Sequence, residues 1–211
     1  MKLVVFGAGF VGSALVREFA ARGHDVTVVS RHPGSGTADG VITIAGSAHD
    51  PAFVTKVTSD AEVIVSALPA LDADGGLPAS VAHLLSAAEA IGSRFGVVGG
   101  SAVVPIAEGG PRQADSTDLP AWLVPLAEAH TRALSLLNSA PRNVDWFYLV
   151  PAANFGRHLP GIRTGSYRTS SSALVADKEG RSVIGVDDYA IAFADEIDEP
   201  STHRAWLAVG Y

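Results

Sequence analysis

The sequence predicts an α/β fold in which a doubly wound parallel sheet carries helices on both faces. Short, almost wholly apolar runs alternate with segments of helical periodicity from the first residues to about residue 152. Strands that are apolar on both faces are typical of a parallel sheet buried between two helix layers. The composition agrees, because 47% of the 211 residues are hydrophobic and only 18% are charged. Such a chain can bury a sizeable core and is globular rather than disordered.

The strand candidates are apolar runs too short to be buried helices. In chain order they lie at residues 2–7, 24–30, 41–46, 61–69, 94–101 and 144–152.

The helix candidates fall between these strands. Leu15 and Phe19 belong to an apolar face at helical spacing, which predicts a helix over 12–23. Asp50 as N-cap and Pro51 at the first helical position predict the start of a second helix. The remaining helices are predicted at about 78–91, 122–137 and 187–198.

The pattern changes after Asn154. Residues 154–186 are rich in Gly, Ser, Thr and Arg, with short strand candidates at 165–169 and 181–186, and a last strand is predicted over 204–211. Because no repeat or linker divides the chain, we predict a single domain over 1–211. Within it, residues 154–186 form a small lobe on the substrate side.

Several function classes are excluded by composition. No apolar stretch reaches the roughly 18 residues that a membrane span requires, and the N-terminus lacks a secretory pattern, so we expect a cytoplasmic protein. A net charge of −7 without a basic cluster argues against a nucleic-acid partner. Cysteines are absent and the histidines show no ligand spacing, so no metal site is expected. A small-molecule acceptor is the expected partner, and a homodimer is left open.

A glycine cluster follows the first strand and opens the first helix. Gly7, Gly9 and Gly12, with Phe10 and Val11 between the last two, fit the G-x-G-x-x-G pattern of dinucleotide-binding turns. The first glycine permits a tight turn, the second lets a pyrophosphate approach, and the third lets helix and strand pack closely. The helix N-terminus would then offer N–H groups to the phosphates. The alternative is a tight turn without a ligand.

The end of the second strand carries no acid where many dinucleotide-binding proteins hold a ribose hydroxyl. It reads Ser30, Arg31 and His32 instead. A planar guanidinium suits bidentate contact with a phosphate, so NADP is the first choice of cofactor and NAD the second. The alternative for Arg31 is a solvated loop residue.

Further cofactor contacts are expected where the central strands end, because open α/β sheets bind ligands at that edge. The small residues there would let the nicotinamide half approach the backbone, although Ala67 and Gly99 could instead be small only for packing. The predicted contacts are Ala67, Leu68, Pro69, Gly99, Gly100, Pro151 and Asn154.

These stretches together resemble a known family. Residues 7–33, 97–101 and 144–155, and more specifically 161–168, 187–197 and 207–211, are similar to the atypical short-chain dehydrogenase/reductase superfamily. The closer likeness is to its NAD(P)H-binding NADH-flavin reductase group, relatives of biliverdin reductase B and the NmrA-like proteins. The resemblance implies a Rossmann-type fold, a reduced nicotinamide cofactor and flavin reduction.

The chain departs from the superfamily pattern in ways that bear on its chemistry. Phe6 stands where the first glycine is usual, and Ser47 where an acid near the adenine is common. The Tyr-x-x-x-Lys pair is absent, with Leu126 and His130 near those two positions. Reduction of a ketone needs an acid, whereas a flavin spreads the negative charge and can take its proton from water.

We therefore predict an NAD(P)H-dependent oxidoreductase that transfers hydride from NADPH to FMN, another flavin or a similar conjugated acceptor. A non-catalytic NADP sensor resembling the NmrA-like proteins is one alternative. An NAD(P)-dependent epimerase or ketoreductase acting on a small carbonyl compound is another.

Ser101 and His130 are the candidates for a catalytic acid. Ser101 follows the fifth strand, and His130 is predicted to lie at the cleft as a group that titrates near neutral pH. Ser101 could instead tie down its loop, and His130 could be a surface or core residue. Phe155 and Tyr167 are predicted to line the acceptor pocket.

Overall fold

A computed structural model describes residues 1–32 and 40–211, and it contains the predicted α/β sheet. The eight strands are β1 Lys2–Phe6, β2 Asp25–Ser30, β3 Ile42–Ala45, β4 Val63–Ser66, β5 Arg94–Val98, β6 Trp146–Val150, β7 Arg168–Ser170 and β8 Ala205–Gly210. The five helices are α1 Phe10–Ala21, α2 Pro51–Val57, α3 Gly76–Ile91, α4 Val124–Asn138 and α5 Val186–Asp198.

The strands form one sheet in the order β3-β2-β1-β4-β5-β6-β8-β7. All neighbours are parallel except β7, which pairs antiparallel with β8 at the edge. This order is that of a Rossmann-type doubly wound sheet, which confirms the predicted fold class. The chain reverses its direction of winding between β1 and β4, and a ligand crevice is expected at that point.

Two helix layers bury the two faces of the sheet. On one face α1 packs against α5, and their core includes Leu15, Phe19 and Phe193. The other face is covered by α2, α3 and α4, with Leu84 and Leu137 in that core. Because β1, β4, β5 and β6 are buried on both faces, their sequences read as continuous apolar runs.

The helix ends show which local signals were informative. Asp50 caps α2 as predicted, since its carboxylate accepts hydrogen bonds from the backbone N–H groups of Ala52 and Phe53. Helix α1 begins at Phe10 rather than Gly12, because Gly9 is its N-cap. Helix α3 begins at Gly76 rather than Pro78.

The predicted strand over 181–186 is wrong. In the described chain this stretch contributes an isolated bridge between Val183 and Asn154, and Val186 already belongs to α5. The polar groups explain this. The Ser182 hydroxyl donates to the Val175 carbonyl, and Arg181 pairs with Asp177 in a local turn.

Asp188 ties residues 161–168 to the rest of the domain. Its buried carboxylate accepts hydrogen bonds from the Thr164 and Gly165 amides and from the Tyr211 hydroxyl. Burial alone would raise the pKa of Asp188, but these hydrogen bonds lower it below its usual value. The contacts fix the segment beside α5, while its role as the substrate side stays a prediction.

No described helix combines the length and the apolar character that crossing a membrane would require.

Candidate functional site

A cleft of about 430 Å³ opens at the crevice between β1 and β4. Its walls come from the glycine turn after β1 and from the residues that follow β2, β3 and β4. Of the residues predicted from the sequence, those that line it are Gly7, Gly9, Phe10, Val11, Ser30, Arg31, His32, Ala67, Leu68 and Pro69.

The three glycines of the turn have different reasons to be glycine. Gly7 has φ +111°, and a Cβ there would stand 2.4 Å from the Ala67 carbonyl oxygen. A Cβ on Gly12 would stand 2.0 Å from the Gly7 carbonyl oxygen, so this glycine lets α1 pack onto the turn. At Gly9 a Cβ would meet no described atom within 4 Å. Gly7 and Gly12 therefore serve the fold, and Gly9 leaves space at the cleft.

The N-terminus of α1 borders this space. The first N–H groups of a helix have no acceptor in the preceding turn, and they attract anions. The Ser13 hydroxyl donates to the Ala8 carbonyl at 2.9 Å and the Ser13 amide to the Gly9 carbonyl at 2.9 Å, which hold the turn in place. No acid occupies the first turn of α1. These features fit the pyrophosphate of a dinucleotide.

Ser30, Arg31 and His32 lie together at the end of β2. The Ser30 hydroxyl accepts a hydrogen bond from the His32 amide at 3.3 Å. The Arg31 side chain is half exposed, and its Nη1 lies 3.8 Å from the Asp74 carboxylate. This pair is long for an ion pair, so the guanidinium can turn toward a phosphate in the cleft.

A cluster of two carboxylates and an imidazole on the same rim was not predicted from the sequence. Ligand-type atoms of His49, Asp72 and Asp74 all lie within 4.8 Å of one another, although no metal-ligand spacing was apparent in the sequence. His49 Nε2 and the Asp72 carboxylate are 3.0 Å apart. Burial alone would raise the pKa of Asp72, but hydrogen bonds from the Gly76 amide and from His49 lower it. We interpret the cluster as a hydrogen-bonded rim of the cleft.

Gly99 and Gly100 are small for packing reasons, and neither lines the 430 Å³ cleft. A Cβ on Gly99 would stand 2.6 Å from the Tyr148 ring, and one on Gly100 would stand 2.6 Å from His130 Cδ2. The rings of Tyr148 and His130 fill the space that side chains at these two positions would need, and the cofactor contacts of Gly99 and Gly100 stay predictions.

His130 was predicted to titrate near neutral pH, but its surroundings favour a lower pKa. Burial lowers its pKa from 6.5 to about 4, so it is neutral at physiological pH. Its Nδ1 lies 2.7 Å from the Tyr148 hydroxyl, which also accepts the Gly100 amide at 2.9 Å. Tyr148 was not predicted as a site residue, because a tyrosine within an apolar strand has the pattern of a core residue.

The remaining predicted residues near this edge have mixed surroundings. Ser101 starts a short 3-10 turn after β5 and is partly exposed. Pro151 is buried, and Asn154 is exposed, with its side-chain oxygen 2.9 Å from His158 Nε2. Phe155 lies 6.3 Å, centroid to centroid, from Phe10, which connects the 154–186 segment to the glycine turn.

Tyr167 does not join this group. Its hydroxyl donates to the Asp195 carboxylate at 2.5 Å. Burial raises the pKa of Tyr167, and the hydrogen bond to Asp195 raises it further. Tyr167 lines a second cavity of about 550 Å³ together with Arg22 at the C-terminal end of α1. The glycine turn lies at the other end of α1, and Tyr167 does not line the 430 Å³ cleft.

The cleft can therefore do two things chemically. Gly9, the N-terminus of α1 and Arg31 together provide an uncrowded, positively polarised surface for a dinucleotide. The adjoining edge around Ser101 and His130 provides hydroxyl and imidazole groups without an imidazolium at neutral pH.

Comparison with known proteins agrees with this description. The family profile described as NAD(P)H-binding matches residues 7–190, from the glycine turn into α5.

Three solved structures share the fold over the whole chain. One from Burkholderia pseudomallei, provisionally described as an exported protein, is 34% identical with a TM-score of 0.87 and covers 100% of both chains. One from Streptococcus pneumoniae, provisionally described as an NADH-flavin reductase, is 29% identical with a TM-score of 0.88, covering 100% of this chain and 99% of its own. One from Bacteroides thetaiotaomicron, provisionally described as an epimerase, is 32% identical with a TM-score of 0.88, covering 100% and 96%.

Proposed function

This chain belongs to the NAD(P)H-binding family, and we propose that it is a reductase that passes hydride from NADPH to a flavin such as FMN or to a similar conjugated acceptor. The proposal rests on a contrast between two neighbouring regions. The dinucleotide cleft is open, whereas the adjoining edge has no proton donor that is charged at neutral pH. The similarity to the Streptococcus pneumoniae protein also supports it.

The observation that carries the proposal is the packing of His130 against the fully buried Tyr148, whose hydroxyl lies 2.7 Å from His130 Nδ1. Burial lowers the pKa of His130 to about 4 and raises the pKa of Tyr148, so neither group readily gives up a proton near neutral pH. Reduction of an isolated ketone requires protonation of an alkoxide, which these groups serve poorly. A conjugated acceptor delocalises the charge and can be protonated by water.

The preference for NADPH rests on the rim of the cleft. The half-exposed Arg31 and the Ser30 hydroxyl lie at the end of β2, where the ribose 2′ position of a bound dinucleotide is expected. A guanidinium binds a phosphate through two parallel hydrogen bonds, whereas it gains little from a ribose hydroxyl.

Different residues of the cleft bind different parts of the dinucleotide. The α1 N-terminus and Gly9 hold the pyrophosphate, and Arg31 holds the 2′-phosphate. Phe10 at the cleft and Phe155 beside it, 6.3 Å apart between ring centroids, would give the acceptor an aromatic surface to pack against. The reduced nicotinamide, when bound, supplies the hydride, and positioning is the main contribution of the protein.

An epimerase is a weaker candidate, although one similar structure carries that description. Epimerisation through a keto intermediate needs a group that accepts and returns a proton. His130 is partly buried and hydrogen-bonded to the fully buried Tyr148, so the pair lacks the required protonation change near neutral pH.

The test is consumption of NADPH by the purified protein with FMN or riboflavin as acceptor, under anaerobic conditions that suppress oxygen-dependent cycling. We expect consumption that is proportional to protein and greater than with NADH. A rate equal to that of the protein-free control would reject the reductase. Tight NADPH binding without turnover would favour the NADP sensor.

We also propose a cytoplasmic location, because reduced nicotinamide dinucleotides are available there. The exported description of the Burkholderia pseudomallei relative makes this worth testing by cell fractionation. Recovery of the protein outside the cytoplasm would contradict this part of the proposal.

A further inference from the structure

Tyr148 has a role that the dinucleotide site does not explain. It lies on β6 in the middle of the sheet, its side chain is 0% exposed, and its hydroxyl reaches the edge where β5 ends. There the oxygen accepts the Gly100 amide at 2.9 Å and lies 2.7 Å from His130 Nδ1. The hydroxyl thus connects a residue after β5 to the middle of α4.

The contacts determine where the protons lie. The Gly100 amide can only donate, so the Tyr148 oxygen accepts from it. The remaining proton of the buried hydroxyl then has His130 Nδ1 as its acceptor, and any other arrangement would leave a buried donor unpaired at a cost of about 1–3 kcal/mol. Because Nδ1 accepts, the proton of the neutral imidazole resides on Nε2.

The Nε2 edge of the ring lies beside Gly100. A Cβ on Gly100 would stand 2.6 Å from His130 Cδ2 and 2.9 Å from Nε2. Within residues 1–32 and 40–211, Nε2 has no hydrogen-bond partner, and it is not one of the polar atoms sealed from solvent. Ser101, the next residue along the chain, is partly exposed and begins the 3-10 turn at the same edge.

We propose that Tyr148 is a positioning residue that fixes His130 as the neutral Nε2–H tautomer, so that this N–H and the Ser101 hydroxyl bind a carbonyl oxygen of the acceptor. The acceptor class is then a conjugated carbonyl compound, such as a flavin or a quinone. This second part rests on the proposed function, whereas the tautomer of His130 does not.

The two donors stabilise charge without transferring a proton. Hydride leaves the cofactor with its electron pair and adds to the acceptor, which is reduced while the cofactor is oxidised. Negative charge then grows on the carbonyl oxygen, and the His130 N–H and Ser101 O–H strengthen their hydrogen bonds to it. Both keep their protons, and water supplies the proton that completes the reduction. A neutral imidazole acting as an electrophile is a known arrangement in other enzymes.

The tautomer can be measured directly on ¹⁵N-labelled protein by long-range proton–nitrogen correlation of the histidine rings. In the wild type we expect His130 to show a single neutral tautomer with the proton on Nε2 from pH 6 to 8. In Tyr148→Phe we expect a shift toward a mixture of tautomers. Tyr211→Phe is the matched control, because it removes a hydrogen-bonded hydroxyl that contacts Asp188 instead. An Nδ1–H tautomer in the wild type, or an unchanged His130 spectrum in Tyr148→Phe, would overturn the positioning role.

The donor pair is tested by adding oxidised riboflavin to the complex with NADP⁺. We expect the His130 Nε2 resonance to move and the exposed His203 to remain unchanged. No movement of Nε2 at saturating riboflavin would overturn the donor pair, whether or not the protein has turnover. Movement of Nε2 without turnover would support the pair while rejecting the reductase.

Kinetics separate binding from positioning. With riboflavin as acceptor, Ser101→Ala and His130→Ala should each lower kcat by about 100- to 1,000-fold, as loss of one charge-stabilising donor does elsewhere. Tyr148→Phe should lower kcat about tenfold with a smaller change in the KM for NADPH. His203→Ala is the control and should keep the wild-type kcat. A wild-type kcat in both Ser101→Ala and His130→Ala would contradict the donor pair.

Discussion

The two halves of the site are built in different ways. The half around the glycine turn is made from residues close together in the chain, and a Cβ at Gly9 would meet no described atom within 4 Å. The half around Gly100 is made from residues of β5, α4 and β6, and it is filled by the rings of His130 and Tyr148. The first half is shaped to admit a ligand, and the second half is shaped to hold two polar groups still.

The difference shows how one fold can keep binding and reactivity separate. A helix N-terminus and an exposed guanidinium contribute positive potential that a phosphate can reach without rearranging the core. The buried hydroxyl of Tyr148 acts through a hydrogen bond in a place that water does not reach, where such bonds are stronger.

The largest effect is expected from a matched pair of glycine substitutions. Gly12→Ala places a Cβ 2.0 Å from the Gly7 carbonyl oxygen, so the free energy of unfolding should fall by about 3 kcal/mol or more. Gly9→Ala meets no described atom, so it should unfold as the wild type does while NADPH affinity falls by about tenfold or more. Chemical denaturation and nucleotide titration of both variants check this. A Gly9→Ala protein that binds NADPH normally would show that the open space at Gly9 is not the pyrophosphate site.

The second effect is a pH dependence of stability that comes from His130, in the half of the site around Gly100. Burial lowers the pKa of His130 from 6.5 to about 4, so in that interval the unfolded chain holds a proton that the folded chain does not. The free energy of unfolding should therefore fall as the pH is lowered from about 6.5 to 4, by about 2–3 kcal/mol from this group.

Urea denaturation of wild type and His130→Gln at several pH values isolates this contribution. The buried carboxylates with lowered pKa, such as Asp188, are common to both proteins and cancel in the difference. We expect the variant to have the flatter profile between pH 6.5 and 4. Parallel pH profiles of the two proteins would show that folding does not lower the pKa of His130.

The packed half was also the half that the sequence predicted less well. The glycine turn and the strand ends that form the cleft could be predicted, because each is a local pattern with a local physical cause. Tyr148 could not, since its neighbours Phe147 and Leu149 make it look like core, and its partner His130 is 18 positions away. The His49–Asp72 contact could not be predicted for the same reason, because it joins residues after β3 and β4 that only the folded sheet brings together.

Local composition is a poor guide to structure in the polar segment of the chain. Residues 181–186 have strand-like composition, but the Ser182 hydroxyl and the Arg181 guanidinium bond locally instead of extending the sheet. Tyr167 was predicted to line the acceptor pocket with its aromatic surface, whereas its hydroxyl donates to Asp195 near the C-terminal end of α5. Competition between side-chain and backbone hydrogen bonds is not visible in hydrophobic periodicity.

The third effect tests the open half. Arg31→Ala should weaken NADPH binding by about 2 kcal/mol, a typical value for a hydrogen bond to a charged group. NADH binding should be nearly unchanged. Increasing salt should reduce the wild-type preference for NADPH and have little effect in the variant. Equal losses for both nucleotides would indicate that Arg31 supports the loop and does not bind a phosphate.

The smallest effect concerns the neighbour of Arg31. Asp74 lies 3.8 Å from the guanidinium and would both compete for it and repel a 2′-phosphate. Asp74→Asn should tighten NADPH by about twofold to threefold, in keeping with the small energies of exposed ion pairs, and leave NADH unchanged. Asp118→Asn is the control for the general loss of one negative charge. Weaker NADPH binding in Asp74→Asn would show that the carboxylate orients Arg31 for the phosphate.

The most direct test of the central claim is a calorimetric titration of the wild-type protein with NADPH and with NADH at one ionic strength. The open cleft and Arg31 predict saturable binding of both, with NADPH tighter by about tenfold or more. Equal affinities, or a preference for NADH, would contradict the assignment of Arg31 to a 2′-phosphate. Binding of neither nucleotide would contradict the account of the cleft as a dinucleotide site.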